Sequence, residues 1–293
     1  MKRIFVLSIL FTSLLYTCQQ SGSSEESTSA EALKIVSLNG TITEILCALG
    51  QEEQIIGTDV TSTYPPSMHQ LPKVGHNRNL SSEGIISLNP NLIIGIEKDV
   101  DEEVKQQIAS TGIKTIWLEQ ELSVEGTKSL ISTIADTLNL GTEQEKIVEQ
   151  IHSPLALLKN FAIPPKVLFI YARGTGTLLV AGENTSVAQM IALSGGQNAA
   201  QGFQDYKPLT SEALVSANPD VILLFSSGLN SLEGSDGLLS VPGIAQTNAG
   251  KNKAFISMDG QYLSGFGPRV GQAALELNQK LDSLQSTSLS AQN

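Results

Sequence analysis

The sequence has two cysteines, three histidines, one tryptophan and few basic residues, and each scarcity closes off a class of function. Two cysteines cannot build a disulfide framework. Against 29 Asp and Glu stand 18 Lys and Arg, for a formal charge of −11, and no cluster of Lys or Arg occurs. Nucleic-acid binding needs a basic face to neutralise phosphates, so it is disfavoured. The histidines form no H-x-H or H-E-x-x-H pattern and no clustered set with carboxylates, which leaves a metal-dependent hydrolase without ligands. A G-x-S-x-G elbow and a G-x-x-x-x-G-K-[ST] phosphate loop are both missing. Gly174-Thr175-Gly176 lacks the third glycine of a dinucleotide fingerprint. No apolar run reaches the ~20 residues of a membrane-spanning helix.

What is present begins with an export signal. Lys2 and Arg3 precede an apolar stretch from Ile4 to Tyr16, the layout of a signal peptide. It ends at Leu15-Tyr16-Thr17-Cys18, which resembles the lipobox of bacterial lipoproteins. That resemblance implies a signal peptide over 1–18, lipidation at Cys18, and an exported, periplasmic chain anchored to a membrane through lipid. Removal of Lys2 and Arg3 makes the mature form more acidic, at −13 (−11 less 2). Residues 19–32 are rich in Ser and Glu, and Gln19 to Ala30 has no aliphatic residue larger than Ala, so a disordered tether is expected. With Cys18 used for the anchor, Cys47 has no disulfide partner, and its apolar helical surroundings predict a buried thiol. A hydrophobic fraction of 41% is enough for two cores of ordinary domain size.

The body carries an internal duplication. Ser82-Glu83-Gly84-Ile85-Ile86-Ser87-Leu88-Asn89-Pro90 is echoed by Ser211-Glu212-Ala213-Leu214-Val215-Ser216-Ala217-Asn218-Pro219 at an offset of 129 (211 less 82). Upstream, Thr41, Ala48 and Leu49 align with Thr185, Ala192 and Leu193 at 144 (185 less 41). Two related units in one order predict two similar lobes with a ligand cleft between them. Aliphatic runs at 34–38, 54–57, 92–95 and 115–118 alternate with helical patterns at 42–49, 82–88 and 100–111. The second half repeats this, with strands at 167–170, 178–180, 221–224 and 254–256 and helices at 186–193, 211–217 and 270–281. The expected fold is α/β: two lobes at 33–122 and 164–285, each a mainly parallel sheet with flanking helices, and a tail at 286–293. Residues 123–163 form a long helical connector, interrupted at Gly141-Thr142-Glu143 and ended by Pro164-Pro165. Such a connector limits lobe closure.

The first unit holds a segment that the second lacks, Thr58 to Leu80, a net insertion of 15 residues (144 less 129). Long loops of this kind are more often functional than filler. Gly75-His76-Asn77-Arg78 within it precedes the repeated helix, at the strand edge where α/β lobes bind ligands.

Several of these stretches together resemble one family. They are SLNGTITEILCALG, TSTYPP, LPKVGHNR, LSSEGIISLNPNLII, VAGENTS, GFQDYKPLTSEAL and MDGQYLSGFGPR. They resemble the haem-binding proteins of bacterial ABC importers, which belong with the cobalamin and ferric-siderophore binding proteins. The likeness spans Leu33 to Leu281. It implies a bilobed, non-enzymatic binding protein that captures haem and delivers it to a permease dimer. The position after LP-x-VG is usually a tyrosine that ligates ferric haem iron; here it is His76, and imidazole is a common haem ligand. The resemblance makes His76 the axial ligand, Arg78 and Arg173 partners of the propionates or the porphyrin face, and Tyr206 a second ligand or stacking wall. Glu83 and Glu212, at equivalent places in the two units, become the pair that docks on the permease; as first-turn acids they also complement helix dipoles. His69 and His152 are not expected to be ligands, one in an exposed turn and the other on the connector.

The rival reading within the fold is a binder of cobalamin or a ferric siderophore, and His76 with Arg78 favours haem over both. The string from Leu193 to Gln197 spells the LSGGQ signature of ABC ATPases, but without a phosphate loop it is incidental.

Overall fold

The computed structural model describes residues 32–76, 79–141 and 143–290; Cys18, Arg78 and the tether up to residue 31 lie outside them. The first lobe runs β1 (Ile35–Ser37), α1 (Gly40–Ala48), β2 (Ile55–Thr58), β3 (Gly75–His76), β4 (Asn79–Leu80), α2 (Ser82–Ser87), β5 (Leu92–Ile96), α3 (Glu102–Ala109) and β6 (Lys114–Leu118). Its main sheet has the order β2-β1-β5-β6 and every pairing is parallel. Burial explains why: Leu92–Ile96 is covered on both faces, and such strands carry continuous aliphatic runs rather than alternation.

The connector is two helices, α4 (Val124–Thr137) and α5 (Gln144–Leu155). The second lobe follows with β7 (Lys166–Ala172), β8 (Leu178–Ala181), α6 (Ser186–Leu193), β9 (Gln197–Asn198), β10 (Tyr206–Pro208), α7 (Ser211–Ala217) and β11 (Val221–Phe225). Then come α8 (Ser226–Ser231), α9 (Ser235–Leu239), α10 (Asn248–Lys251), β12 (Phe255–Met258), α11 (Gly260–Ser264) and α12 (Val270–Ser290). This sheet has the order β10-β8-β7-β11-β12, with β9 also on β7. It is mixed, because β8 runs antiparallel to both β7 and β10.

The duplication is visible in the geometry. Ser81 and Thr210 cap α2 and α7, each accepting a hydrogen bond from the third residue on. Asn89 and Asn218 follow those helices in left-handed conformations (φ 50° and 41°). All of these pairs keep the offset of 129. The upstream register needs correction. Buried Ile42, Ile45 and Leu46 of α1 match Val187, Met190 and Ile191 of α6, and left-handed Gly50 matches Gly195, all at 145 (187 less 42) rather than 144. Thr41 and Thr185 are not structural equivalents, since Asn39 caps α1 and Thr185 caps α6; the caps stand 146 apart (185 less 39), one more than the buried faces. The net insertion before α2 is therefore 16 residues (145 less 129).

Burial also corrects the expectation of two cores. The largest cluster includes Ile35 and Ile94 of the first sheet, Phe169 and Leu223 of the second, and Ile131, Ile151 and Leu277 of the helices between. The reason is that α12 packs on α5 and α4 of the connector as well as on α6 and α11 of its own lobe, and so joins the layers. Gly271 makes the α5 contact possible, since a Cβ there would lie 2.2 Å from the Ile151 carbonyl oxygen. Smaller cores lie on the outer faces, around Ile93 and Val36 in one lobe and Leu224 and Ile222 in the other.

Candidate functional site

The segments that follow β1, β2 and β12 at their C-terminal ends meet at one junction. Gln261, on α11 just past β12, reaches the loops that leave β1 and β2. Its Oε1 accepts from the Thr63 N–H (2.8 Å), the Thr63 hydroxyl (2.9 Å) and the Tyr64 N–H (3.1 Å). Its Nε2 donates to the Gly40 carbonyl (2.8 Å) and to Glu44 (3.1 Å). Beside it Arg269 forms a two-pronged pair with Glu44, both bonds 2.8 Å, and its guanidinium lies 3.5 Å from the Tyr64 ring centroid. Strand C-terminal ends are where open α/β sheets bind ligands.

On the first lobe, the segment before α2 lies parallel beside the end of β2. Thr58 donates its N–H to the Pro72 carbonyl, Val74 donates to the Thr58 carbonyl, and Val60 donates to the Gly75 carbonyl. Main-chain pairing thus carries the chain to His76, which is exposed and pairs with Asn79 in the β3–β4 hairpin. Gly75 has φ 112°, and a Cβ there would lie 2.5 Å from the Asn79 carbonyl, so the turn into His76 needs glycine. Beneath lies a buried polar knot. Fully buried Asp59 accepts from the Thr61 N–H, the Thr61 hydroxyl and the Ser62 hydroxyl. Lys73 donates to the Thr58 hydroxyl and the Ser62 carbonyl, both at 2.8 Å. Burial holds its ammonium below the usual lysine pKa, with Asp59 pulling the other way.

On the second lobe, the period of two along β7 puts Phe169 and Tyr171 on one face, and Arg173 follows in the turn just past the strand. Phe169 is fully buried and meets Phe225 edge to face at 4.8 Å; Tyr171 meets Phe225 at 6.2 Å and Tyr206 at 6.5 Å. Arg173, exposed at the hairpin turn, has its guanidinium 5.7 Å from the Tyr171 ring. Gly174 (φ 63°) donates to the Ser231 hydroxyl and ties that turn to α8. A hollow of about 430 Å³ opens here, lined by Tyr171, Arg173, Phe225, Ser227 and Ser231. Tyr206 enters through the pairing of β10 with β8, opposite Ala181, and Lys207 lies 4.6 Å from the Phe203 ring.

The structure therefore gathers Arg173 and Tyr206 of the expected residues and adds Tyr171 and Phe225, while His76 stands on the other lobe. Tyr171 was legible as the aromatic between an aliphatic strand and a basic turn, in Phe169-Ile170-Tyr171-Ala172-Arg173. Glu83 and Glu212 are exposed in the first turns of α2 and α7. His69 and His152 are exposed on a 3₁₀ turn and on α5. Cys47 is only half-buried, yet burial, with Glu52 and Glu44, pushes its thiol up to about 12. Among the described residues no group of three or more His, Cys, Asp or Glu could hold a metal ion, and no helix is long and apolar enough to cross a membrane.

Two α/β lobes with a shared core and strand ends facing one junction define a bilobed binding protein. The chain belongs to the periplasmic binding protein family, whose pattern it matches over residues 35–262. It is similar to the periplasmic heme-binding protein RhuT from Roseiflexus sp. RS-1 in apo form, at 42% identity and TM-score 0.83, over 86% of this chain and 99% of that one. It is also similar to the heme-binding protein HmuT, at 31% identity and TM-score 0.78, over 86% of this chain and 85% of that one. Forms of HmuT with a histidine, a tyrosine or an arginine changed to alanine are also solved, the tyrosine and arginine two positions apart. A curated relative, the uncharacterized ABC transporter substrate-binding lipoprotein YvrC of Bacillus subtilis, is 26% identical over 86% of this chain and 80% of its own length.

Proposed function

We propose that this chain captures haem between its lobes and delivers it to the permease dimer of an ABC importer, without doing chemistry on it. The observation that carries the reading is the wall of Tyr171, Tyr206 and Phe225 with Arg173 at its rim, on the lobe opposite His76. Haem is flat and largely apolar, with two carboxylates and an iron that takes axial ligands. The residues fit it. Tyr64, on the loop after β2, and Tyr206, on β10, are both exposed aromatics, at 40% and 36%, and offer ring faces to a flat ligand.

In this reading His76 ligates the iron from the first lobe and Tyr171 from the second. Tyr171 takes the ligand role in this reading because it lies between Phe225 and Tyr206 in the wall, with Tyr206 as the ring beside it. Arg173 then takes a propionate or lies against the porphyrin, and Arg78 does the same from the other side. Exposed Glu83 and Glu212, related by the duplication, dock on basic pockets of the two permease subunits. In the same reading the chain is lipid-anchored at Cys18, with a signal peptide at 1–18, a tether at 19–32, lobes at 33–122 and 164–285, and a connector at 123–163. A core shared by both lobes keeps their relative movement small. A crystal structure with hemin bound tests the assignment. It is expected to show iron bonded to His76 and to the Tyr171 oxygen, and hemin lying outside the junction would overturn it.

A further inference from the structure

The loop that leads to His76 is fastened at its far end by the opposite lobe. Gln261 Oε1 takes three donors from Thr63 and Tyr64, while its Nε2 holds α1 at Gly40 and Glu44. From Thr63 the path runs through Thr61 and Ser62 to Asp59, through the Ser62 carbonyl to Lys73, and along the Val60–Gly75 pairing to His76. Arg269 presses on the same loop by stacking against Tyr64 while both its prongs are held by Glu44, only 5% exposed. The 61–64 loop belongs to no helix or strand, and its first half is held within its own lobe, where the Gly40 N–H donates to the Thr61 hydroxyl (3.2 Å) and the Thr43 and Ser62 hydroxyls share a bond of 2.7 Å. Gln261 on α11 and Arg269 just before α12 add the hold on its second half, Thr63 and Tyr64.

We propose that Gln261 and Arg269 are positioning residues, which set the height of His76 over the cleft from the lobe that carries the aromatic wall. They act through the loop, which they touch at Thr63 and Tyr64. The lobes then share one pre-set cleft geometry, and a bound ligand is retained only while both lobes hold this loop. The inference rests on the haem reading for its functional half, whereas its structural half is independent of any ligand.

The test compares wild type with Gln261→Ala and, to keep the site filled should alanine fail to fold, Gln261→Met. Two quantities are read: hydrogen exchange of the Thr63 and Tyr64 amides without ligand, and the rate at which bound hemin passes to a haem-free globin. Loss of the shared acceptor is expected to speed exchange of both amides roughly tenfold, with β7 amides unchanged. Hemin release is expected to be roughly tenfold faster, with the Soret band of the saturated protein unmoved because His76 and Tyr171 remain. Unchanged exchange at Thr63 and Tyr64 would overturn the proposal, as would faster exchange with unchanged release. Should wild type take up no hemin, the haem reading fails by itself, and the exchange data still decide whether Gln261 holds the loop.

Discussion

The guanidinium of Arg173, one residue past β7, sits 5.7 Å from the ring centroid of Tyr171 near that strand's end. A cation at a strand end beside an aromatic gives the second lobe a site that is apolar in the middle and positive at its rim. That polarity suits a ligand with a flat apolar body and anionic edges.

Removing the cation and removing the phenol have separable effects. Tyr171→Phe is expected to change the visible spectrum of the hemin complex and to weaken ferric binding at least tenfold. Arg173→Ala is expected to cost roughly tenfold in affinity, as outer-shell changes commonly do, with a similar spectrum. Tyr206→Phe keeps the ring and should leave both nearly unchanged. Hemin titrations of the three variants check this; a Tyr206→Phe spectrum altered like that of Tyr171→Phe would exchange their roles.

The Glu44–Arg269 pair is expected to matter for stability. Glu44 is almost fully buried, so Glu44→Ala strands a partly buried guanidinium between two tyrosine rings. Breaking such a pair from one side costs about 3 kcal/mol. Urea unfolding followed by Trp117 fluorescence measures it, and a midpoint equal to wild type would contradict the account.

Cys47 gives a pH signature. Burial first, then Glu52 and Glu44, push its thiol from 9.0 to about 12. Above pH 9 the unfolded chain releases a proton that the folded chain keeps, so stability falls as pH rises from 9 toward 12. The urea midpoint should therefore drop between pH 8 and pH 10 by more in wild type than in Cys47→Ala. Equal drops would show that the thiol does not contribute.

Glu83 and Glu212 should separate transport from capture. Glu83→Ala or Glu212→Ala is expected to impair haem uptake by cells while hemin affinity stays within about twofold, because both side chains are solvated first-turn acids away from the aromatic wall. Uptake assays beside titrations decide, and weakened binding would contradict the docking role.

Much of this was legible in the chain. Ser186–Leu193 and Ser211–Ala217 form the helices that their patterns predict, and the 129-residue repeat is reproduced down to the left-handed asparagines. Local signals suffice there, since N-caps, aliphatic runs and helix stops act within a few residues. The rest depends on contacts distant in sequence. Gln261 and Arg269 looked like part of a family motif, and only the meeting of α11 with the 61–64 loop shows what they hold. Tyr171 has only the local signal of an aromatic between an aliphatic strand and a basic turn, and its place in a wall depends on neighbours from β10 and β11. The shared core had no sequence signal, because nothing in the pattern of α12 says which lobe it will cover.

The most direct test of the central claim is a hemin titration followed by optical absorption, comparing wild type with His76→Ala. The account predicts a saturable, shifted Soret band in wild type that moves and weakens in His76→Ala as the iron loses its ligand from the first lobe. A band identical in both proteins would contradict His76 as the ligand, and no saturable band in wild type would contradict haem as the cargo.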